Sequence, residues 1–301
     1  MITELTDTSS RDIAAALIKA RRTVGSASGL VLTLLIVTDD EHFDDVLEAA
    51  KASATAHPSR VIVVTYVDAT EPRLDAQIQV GEGLPGDLLI LRLHGKLRQH
   101  GDSICLPLLL PDSPTIVWWP NKAPDNLAED PIGSLADRRI TDAATAPDPQ
   151  EALVRRARNH ADGDTDLTWT RLTRWRALLA ASLDQSRATV TGACVRSAPD
   201  NAPATLLAAW LAEYLGVPVE RRAGDGVGVN EVVLNTEEGD IVLSRVREGT
   251  AHYRVPGQPE RSVALRRRPL TDLLTEELQR MDADDVFERT VRRVLSDAEA
   301  S

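Results

Sequence analysis

Polar and apolar positions fall into strand-length and helix-length blocks along the first half of the chain. Residues 30–37 are a continuous run, apolar but for Thr33, as expected of a strand covered on both faces. Residues 60–67 predict a second buried strand. Between them Val46, Leu47 and Ala50 recur at helical spacing, behind Thr38 and Asp39 as caps and ahead of His57-Pro58 as a stop. Strand, helix, strand with short joints predicts a βαβ unit with parallel pairing. Ahead of it, residues 11–22 predict a short amphipathic helix with Ile13, Leu17 and Ile18 on one face. Residues 1 to 10 are polar and read as a frayed end. The stretch 25–29 (Gly-Ser-Ala-Ser-Gly) reads as a flexible break. Residues 74–80 and 88–93 predict two more strands, joined through the glycines at 81–86. An apolar helix is expected over 102–110, stopped by Pro111, and a strand over 115–119, stopped by Pro120. A short strand is expected at 138–141.

Residues 146–149 (Ala-Pro-Asp-Pro) and the polar run 159–166 bracket an expected linker. Beyond it, Trp169, Leu172, Trp175, Leu179 and Leu183 recur at helical spacing and predict one helix over 168–183. A strand at 189–195 and a helix at 203–215, closed by Gly216, follow. The period then turns to strands at 217–220, 231–235, 241–246, 251–255 and 262–265. Glu238-Gly239-Asp240 and Glu248-Gly249-Thr250 are hairpin signals. Two amphipathic helices, 269–281 and 284–295, finish the pattern. The expected fold is α/β in two domains. Domain 1–160 carries a largely parallel, Rossmann-like sheet. Domain 161–301 is α+β, with helices against a mostly antiparallel sheet.

Composition narrows the function. The 301 residues are long enough for two cores, and 43% hydrophobic with 27% charged residues is a soluble globular balance. A formal net charge of −12 argues against a general binder of nucleic acid or of anionic membranes. A DNA-reading role would rest on one Arg-Trp helix, without a recognisable DNA-binding motif. The two cysteines, Cys105 and Cys194, form neither a disulfide framework nor a CxxC motif, and read as buried reduced thiols. No signal peptide or membrane span is visible, so a cytoplasmic location is expected.

Tryptophan placement is the most pointed signal. Aromatics are only 3% of the chain, yet five Trp stand against three Tyr and two Phe. Four of them sit in two windows, Val117-Trp118-Trp119-Pro120 and Trp169 to Arg176, the second of which also holds Arg171 and Arg174. Trp and Arg are favoured interface anchors. Such windows staple a core or present a partner surface, and the sequence leaves both open. Other motifs are weaker. Gly224-Asp225-Gly226-Val227-Gly228 is followed by a strand and not a helix, so it reads as a turn and not a dinucleotide loop. The acidic cluster Asp39, Asp40, Glu41, Asp44 and Asp45, with His42, follows the first buried strand, and reads first as helix-end charge. Arg266-Arg267-Arg268 reads as a solvated turn, with an anion or partner contact as the lesser option. No HExxH, GxSxG or P-loop pattern occurs, and no catalytic residue, metal or cofactor is expected.

Several blocks carry a resemblance. They are VLTLLIVTDD, AHPSRVIVV, LLILRLHG, DSICLPLLLPDSPTIVWWP, DPIGSLADRRITDAA and DLTWTRLTRWRALLAA, in order from about residue 30 to 185. In them the chain resembles the OpcA family of glucose-6-phosphate dehydrogenase assembly proteins, of actinobacterial type. The WWP and WTRLTRWR blocks are the specific ones. The resemblance implies a non-enzymatic partner of glucose-6-phosphate dehydrogenase, an assembly factor or allosteric activator supporting NADPH supply in the oxidative pentose phosphate pathway. Cyanobacterial relatives imply redox control through cysteines, which the placement of Cys105 and Cys194 does not support. Trp118, Trp119, Trp169, Arg171, Arg174 and Trp175 are the candidate partner-binding residues, chosen on composition. The rival expectation is a nucleotide- or sugar-phosphate-binding, transferase-like protein using the acidic cluster.

Overall fold

The computed structural model describes residues 1–24, 29–81, 86–186, 188–247 and 249–300. Residues 25–28 of the expected flexible break at 25–29, the centre of the joint at 81–86 (82–85) and Glu248 of the second hairpin signal lie outside the described residues. In chain order the elements begin with β1 (Ile2–Leu5), α1 (Ser10–Val24), β2 (Leu32–Thr38), α2 (Phe43–Ala56), β3 (Ser59–Val67), β4 (Arg73–Val80) and β5 (Asp87–His94). Next come α3 (Gly101–Cys105), β6 (Thr115–Trp118), β7 (Arg138–Thr141), α4 (Pro149–Arg158), β8 (Asp164–Asp166), α5 (Leu167–Arg171) and α6 (Thr173–Gln185). The rest are β9 (Val190–Ser197), α7 (Ala202–Leu215), β10 (Val219–Ala223), β11 (Val229–Thr236), β12 (Ile241–Arg247), β13 (Thr250–Arg254), β14 (Arg261–Ala264), α8 (Leu270–Glu277) and α9 (Asp285–Glu299).

The chain divides into two compact units that interleave in sequence. Unit 1 comprises residues 1–142, 161–165 and 270–283, and unit 2 comprises 143–160, 166–269 and 284–301. Unit 1 is built on an eight-stranded sheet ordered β1-β4-β5-β3-β2-β6-β7-β8. Strands β5, β3, β2, β6 and β7 pair in parallel, and β4 and β1 add an antiparallel edge. Every residue of β2 is buried, as a strand covered on both faces must be. Helix α1 packs near β4, and α8 packs on α2.

Unit 2 carries a six-stranded sheet ordered β10-β9-β11-β12-β13-β14. Only β10 and β9 run parallel, through α7; the other pairs are antiparallel. Alternating burial along β11 marks a sheet with one covered face. Its core joins Trp169, Trp175, Leu207, Leu211, Val232 and Leu243 to residues of α4 and α9.

The structure departs from the sequence pattern in several places. The N-terminal residues are not frayed: β1 pairs with β4, and the Met1 amino group donates to Val80 O across 2.9 Å. A backbone ladder holds that edge, although Ile2 is half exposed. Ile18 leaves the buried face of α1, which is Ile13, Leu17 and Ala20. The apolar helix expected over 102–110 is broken into α3 and a following 3-10 turn, because Pro107 carries no amide hydrogen. Within the expected linker lies α4, capped by Asp148. The helix expected over 168–183 divides at Leu172 into α5 and α6.

Candidate functional site: an arginine-lined pocket

In unit 1 the order of travel along the sheet reverses at β2, between β3 and β6. Open parallel sheets bind ligands beside the carboxyl ends of strands at such a point. Here those ends are Thr38 and Trp118. The loop after β2 is acidic and lacks glycine: Asp40, Glu41, Asp44 and Asp45 follow the strand within a few residues. A pyrophosphate at this helix end would meet carboxylates and not a glycine-lined amide nest. Helix α2 starts after His42, which makes no side-chain cap. The expected Thr38-Asp39 cap is instead a closed turn. Asp39 Oδ1 accepts from the His42 amide at 3.1 Å and from its ring Nδ1 at 2.8 Å. Burial alone would raise the Asp39 pKa, but the bonds from His42 hold it below the usual carboxylate value. The same bond raises that of His42.

Trp118 and Trp119 fill the interior of unit 1, at 0% and 2% exposure. Trp119 N donates to Ile140 O at 2.9 Å. Its ring tip stands 3.1 Å from where a Cβ on Gly133 would lie, and Leu127 O only 1.9 Å. Gly133 is therefore required for the indole and the 127–133 backbone to close together.

In unit 2 the Asp166 side chain accepts from the amides of Thr168 (2.8 Å) and Ala143 (3.0 Å), which starts α5 and fixes Trp169. Trp169 is 1% exposed. Its Nε1 donates to Asp284 Oδ2 at 2.8 Å, the Phe287 ring lies 5.7 Å away, and the Arg176 guanidinium stacks 3.4 Å from an indole ring centroid. Trp175 is 3% exposed, with the Arg245 guanidinium 5.6 Å from its ring. All four candidate tryptophans thus serve packing. The side chains among the candidates that reach solvent are Arg171 and Arg174, both half-buried.

Arg171 at the end of α5 and Arg174 in the first turn of α6 open onto one cavity of about 370 Å³. Six separate segments line it. The α5–α6 break contributes Arg171, Leu172, Arg174 and Trp175. The start of α7 contributes Asp200, Asn201, Ala202 and Pro203. The turn before β11 contributes Val227, Gly228 and Val229, and β12 contributes Arg245. A fifth segment is Leu265 with Arg266, Arg267 and Arg268, and the sixth holds Ala144 and Pro149. Gly228 takes φ +73°, which lets the turn bend into this wall. Arg245 Nη1 donates to Leu265 O at 2.5 Å, Arg267 donates to Val227 O, and Arg268 Nη1 to Thr170 O at 3.4 Å. These bonds tie the arginine triplet to the neighbouring walls.

Of the candidate set, the structure brings Arg171, Arg174 and Trp175 to one cavity. Trp169 lies in the core of the same unit, and Trp118 and Trp119 in the other unit. Sequence reasoning missed Arg245 entirely. Read as turns, Arg266–Arg268 are an irregular segment between β14 and α8 and 225–228 a bend before β11, and the sequence pattern does not reveal the cavity they share. Among the described residues no group of three His, Cys, Asp or Glu could hold a metal ion. Both thiols are free and buried. Burial pushes the Cys105 thiol up to about 12, which leaves it inert as a nucleophile.

Residues 50–158 match the family model described as "Glucose-6-phosphate dehydrogenase subunit N-terminal domain". Residues 162–291 match the companion model, which describes the C-terminal domain of the same glucose-6-phosphate dehydrogenase subunit. No curated protein sequence matches significantly. Similar solved structures include an NAD binding oxidoreductase from Klebsiella pneumoniae, at 10% identity and TM-score 0.46, covering 91% of this chain and 97% of that one. Another is the dehydrogenase MviM from Clostridium difficile, at 7% identity and TM-score 0.45, covering 89% and 99%.

Proposed function

We propose that this chain, which belongs to the OpcA family of glucose-6-phosphate dehydrogenase subunits, binds that dehydrogenase and raises its activity without catalysing a reaction itself. The observation that carries this reading is the pair of adjoining family matches, which together take in most of the chain. Supporting it, the loop after β2, at the ligand crevice of the unit 1 sheet, is acidic and glycine-free where a dinucleotide would need the opposite.

The mechanism is linkage. A protein that binds the active form of the enzyme more tightly than the inactive form shifts the population toward it. About tenfold activation requires only ~1.4 kcal/mol of differential binding. Within the candidate set, Arg171 and Arg174 would make contacts, while the buried Trp169 and Trp175 hold the helices that present them. Trp118 and Trp119 would act only by shaping unit 1. No described helix is long and apolar enough to cross a membrane. The expected setting is the cytoplasm, with the physiological output NADPH from the oxidative pentose phosphate pathway.

The test is dehydrogenase activity from the same organism, with and without the purified chain, across substrate concentration. A saturable fall in apparent KM or rise in kcat, with co-elution of the two proteins, supports the reading. No effect and no co-elution sink it.

A further inference from the structure

We infer that the arginine-lined cavity of unit 2 binds a small organic phosphate, of sugar-phosphate to mononucleotide size. Six arginines (171, 174, 245, 266, 267 and 268) line one cavity, with Asp200 the one carboxylate among its described lining residues. The chain as a whole carries −12, so this is a local reversal of sign and not a sample of a basic surface. A wall of guanidiniums raises the local concentration of anions. Each planar fork pairs bidentately with a phosphate, whose three non-bridging oxygens can engage more guanidiniums at once than the two oxygens of a carboxylate. The α7 N-terminus at Asn201, Ala202 and Pro203 adds the positive end of a helix dipole to the same wall.

Volume and lining decide what carries the phosphate. A cavity of about 370 Å³ is in the range of small-molecule sites and larger than a bare phosphate needs. Leu172, Trp175, Val229 and Leu265 give it an apolar side that an inorganic ion would leave unused. Asp200 is an exposed part of the lining, where it repels a second anionic group and accepts hydrogen bonds from hydroxyls. The ligand therefore sets its phosphate against the arginines and a hydroxyl-bearing portion toward Asp200. That occupancy would tune the dehydrogenase contact at Arg171 and Arg174, a consequence that rests on the dehydrogenase-partner reading above; the binding itself does not.

The experiment is calorimetric titration of the intact chain alone. The probes are a hexose monophosphate, a nucleoside 5′-monophosphate, inorganic phosphate, the unphosphorylated hexose and a Glu-rich peptide. Expected is one-to-one binding of a phosphate ester that weakens as salt rises. It should be tighter than inorganic phosphate by at least about tenfold, and weakened at least about tenfold by Arg174→Gln or Arg266→Gln. Arg254→Gln, on an exposed position of β13 outside the cavity, should bind as the parent does. Unchanged thermal midpoints exclude misfolding as the cause. Any of three results overturns the inference: no ester binding up to about 10 mM, ester binding that the two cavity variants leave intact, or binding of the acidic peptide or inorganic phosphate in preference. Because the dehydrogenase is absent, failure here leaves the partner proposal standing, and failure of activation leaves a positive titration standing.

Discussion

The Trp169 indole donates to Oδ2 of Asp284 across 2.8 Å, while Oδ1 of that carboxylate accepts from the amides of Val286 (3.1 Å) and Phe287 (2.9 Å). One side chain thus caps α9 and satisfies a buried indole. Asp284→Ala removes both. Losing a cap costs about 0.5–2 kcal/mol, and stranding a buried donor costs about 1–3 kcal/mol. Chemical denaturation should show a loss of roughly 2–4 kcal/mol. Asp284→Asn, which keeps a capping oxygen, should lose less. Equal losses for the two variants would refute the double role.

Arg138 and Glu277 form a buried ion pair at 2.7 Å, and Arg138 also donates to Asp282 O at 2.9 Å. Glu277→Ala leaves the guanidinium buried without its counter-charge. The expected cost is about 3–5 kcal/mol. A paired Arg138→Met, Glu277→Leu replacement should cost less than either single change, measured by the same denaturant curves. Additive losses in the double variant would contradict this.

The Asp39–His42 pair gives a defined pH window. The His42 pKa is raised from 6.5 by its bond to Asp39, so its contribution is complete below 6.5 and is lost as pH rises through the folded value. Asp39 is held below 3.8 by His42 against the opposing effect of burial, so its contribution is present above 3.8 and is lost as pH falls through the folded value. The pair is therefore strongest between 3.8 and 6.5. Proton NMR titration should place His42 above 6.5, and Asp39→Asn should bring it back toward 6.5. A His42 titration indifferent to Asp39→Asn would show that the bond does not form.

Cys105 is 0% exposed and its thiol is pushed up to about 12. The native protein at neutral pH should leave it unlabelled by an aromatic disulfide reagent, with reaction appearing only on unfolding. Activation of the dehydrogenase should likewise ignore mild thiol oxidants acting at this position. Rapid native labelling of Cys105, mapped by mass spectrometry, would restore a redox role.

Sequence pattern revealed elements wherever burial imposes a period. The apolar run at β2 is legible because both its faces are covered; the Trp169-Trp175 spacing shows helical periodicity but not the division at Leu172. The edge strand β1 was not, since a backbone ladder needs no particular side chains. Helix α4 was hidden for a related reason: only Leu153 and Ala157 are buried, among arginines. Its Asp148-Pro149 start with Glu151 was a readable capping signal. The cavity was the least legible feature. Arg171 and Arg174 stand out beside tryptophan, whereas Arg245 and the triplet at 266–268 join them only through the folded path of six segments.

The partnership between Arg138 and Glu277 also sets an order in time. During synthesis β7 emerges roughly 140 residues before the helix that neutralises it. Arg139 finds Asp164 almost at once, but Arg138 must wait until α8 has left the ribosome. Unit 1 therefore completes itself only after nearly all of unit 2 has been translated. A fragment ending at residue 160 would strand both arginines in a half-built sheet.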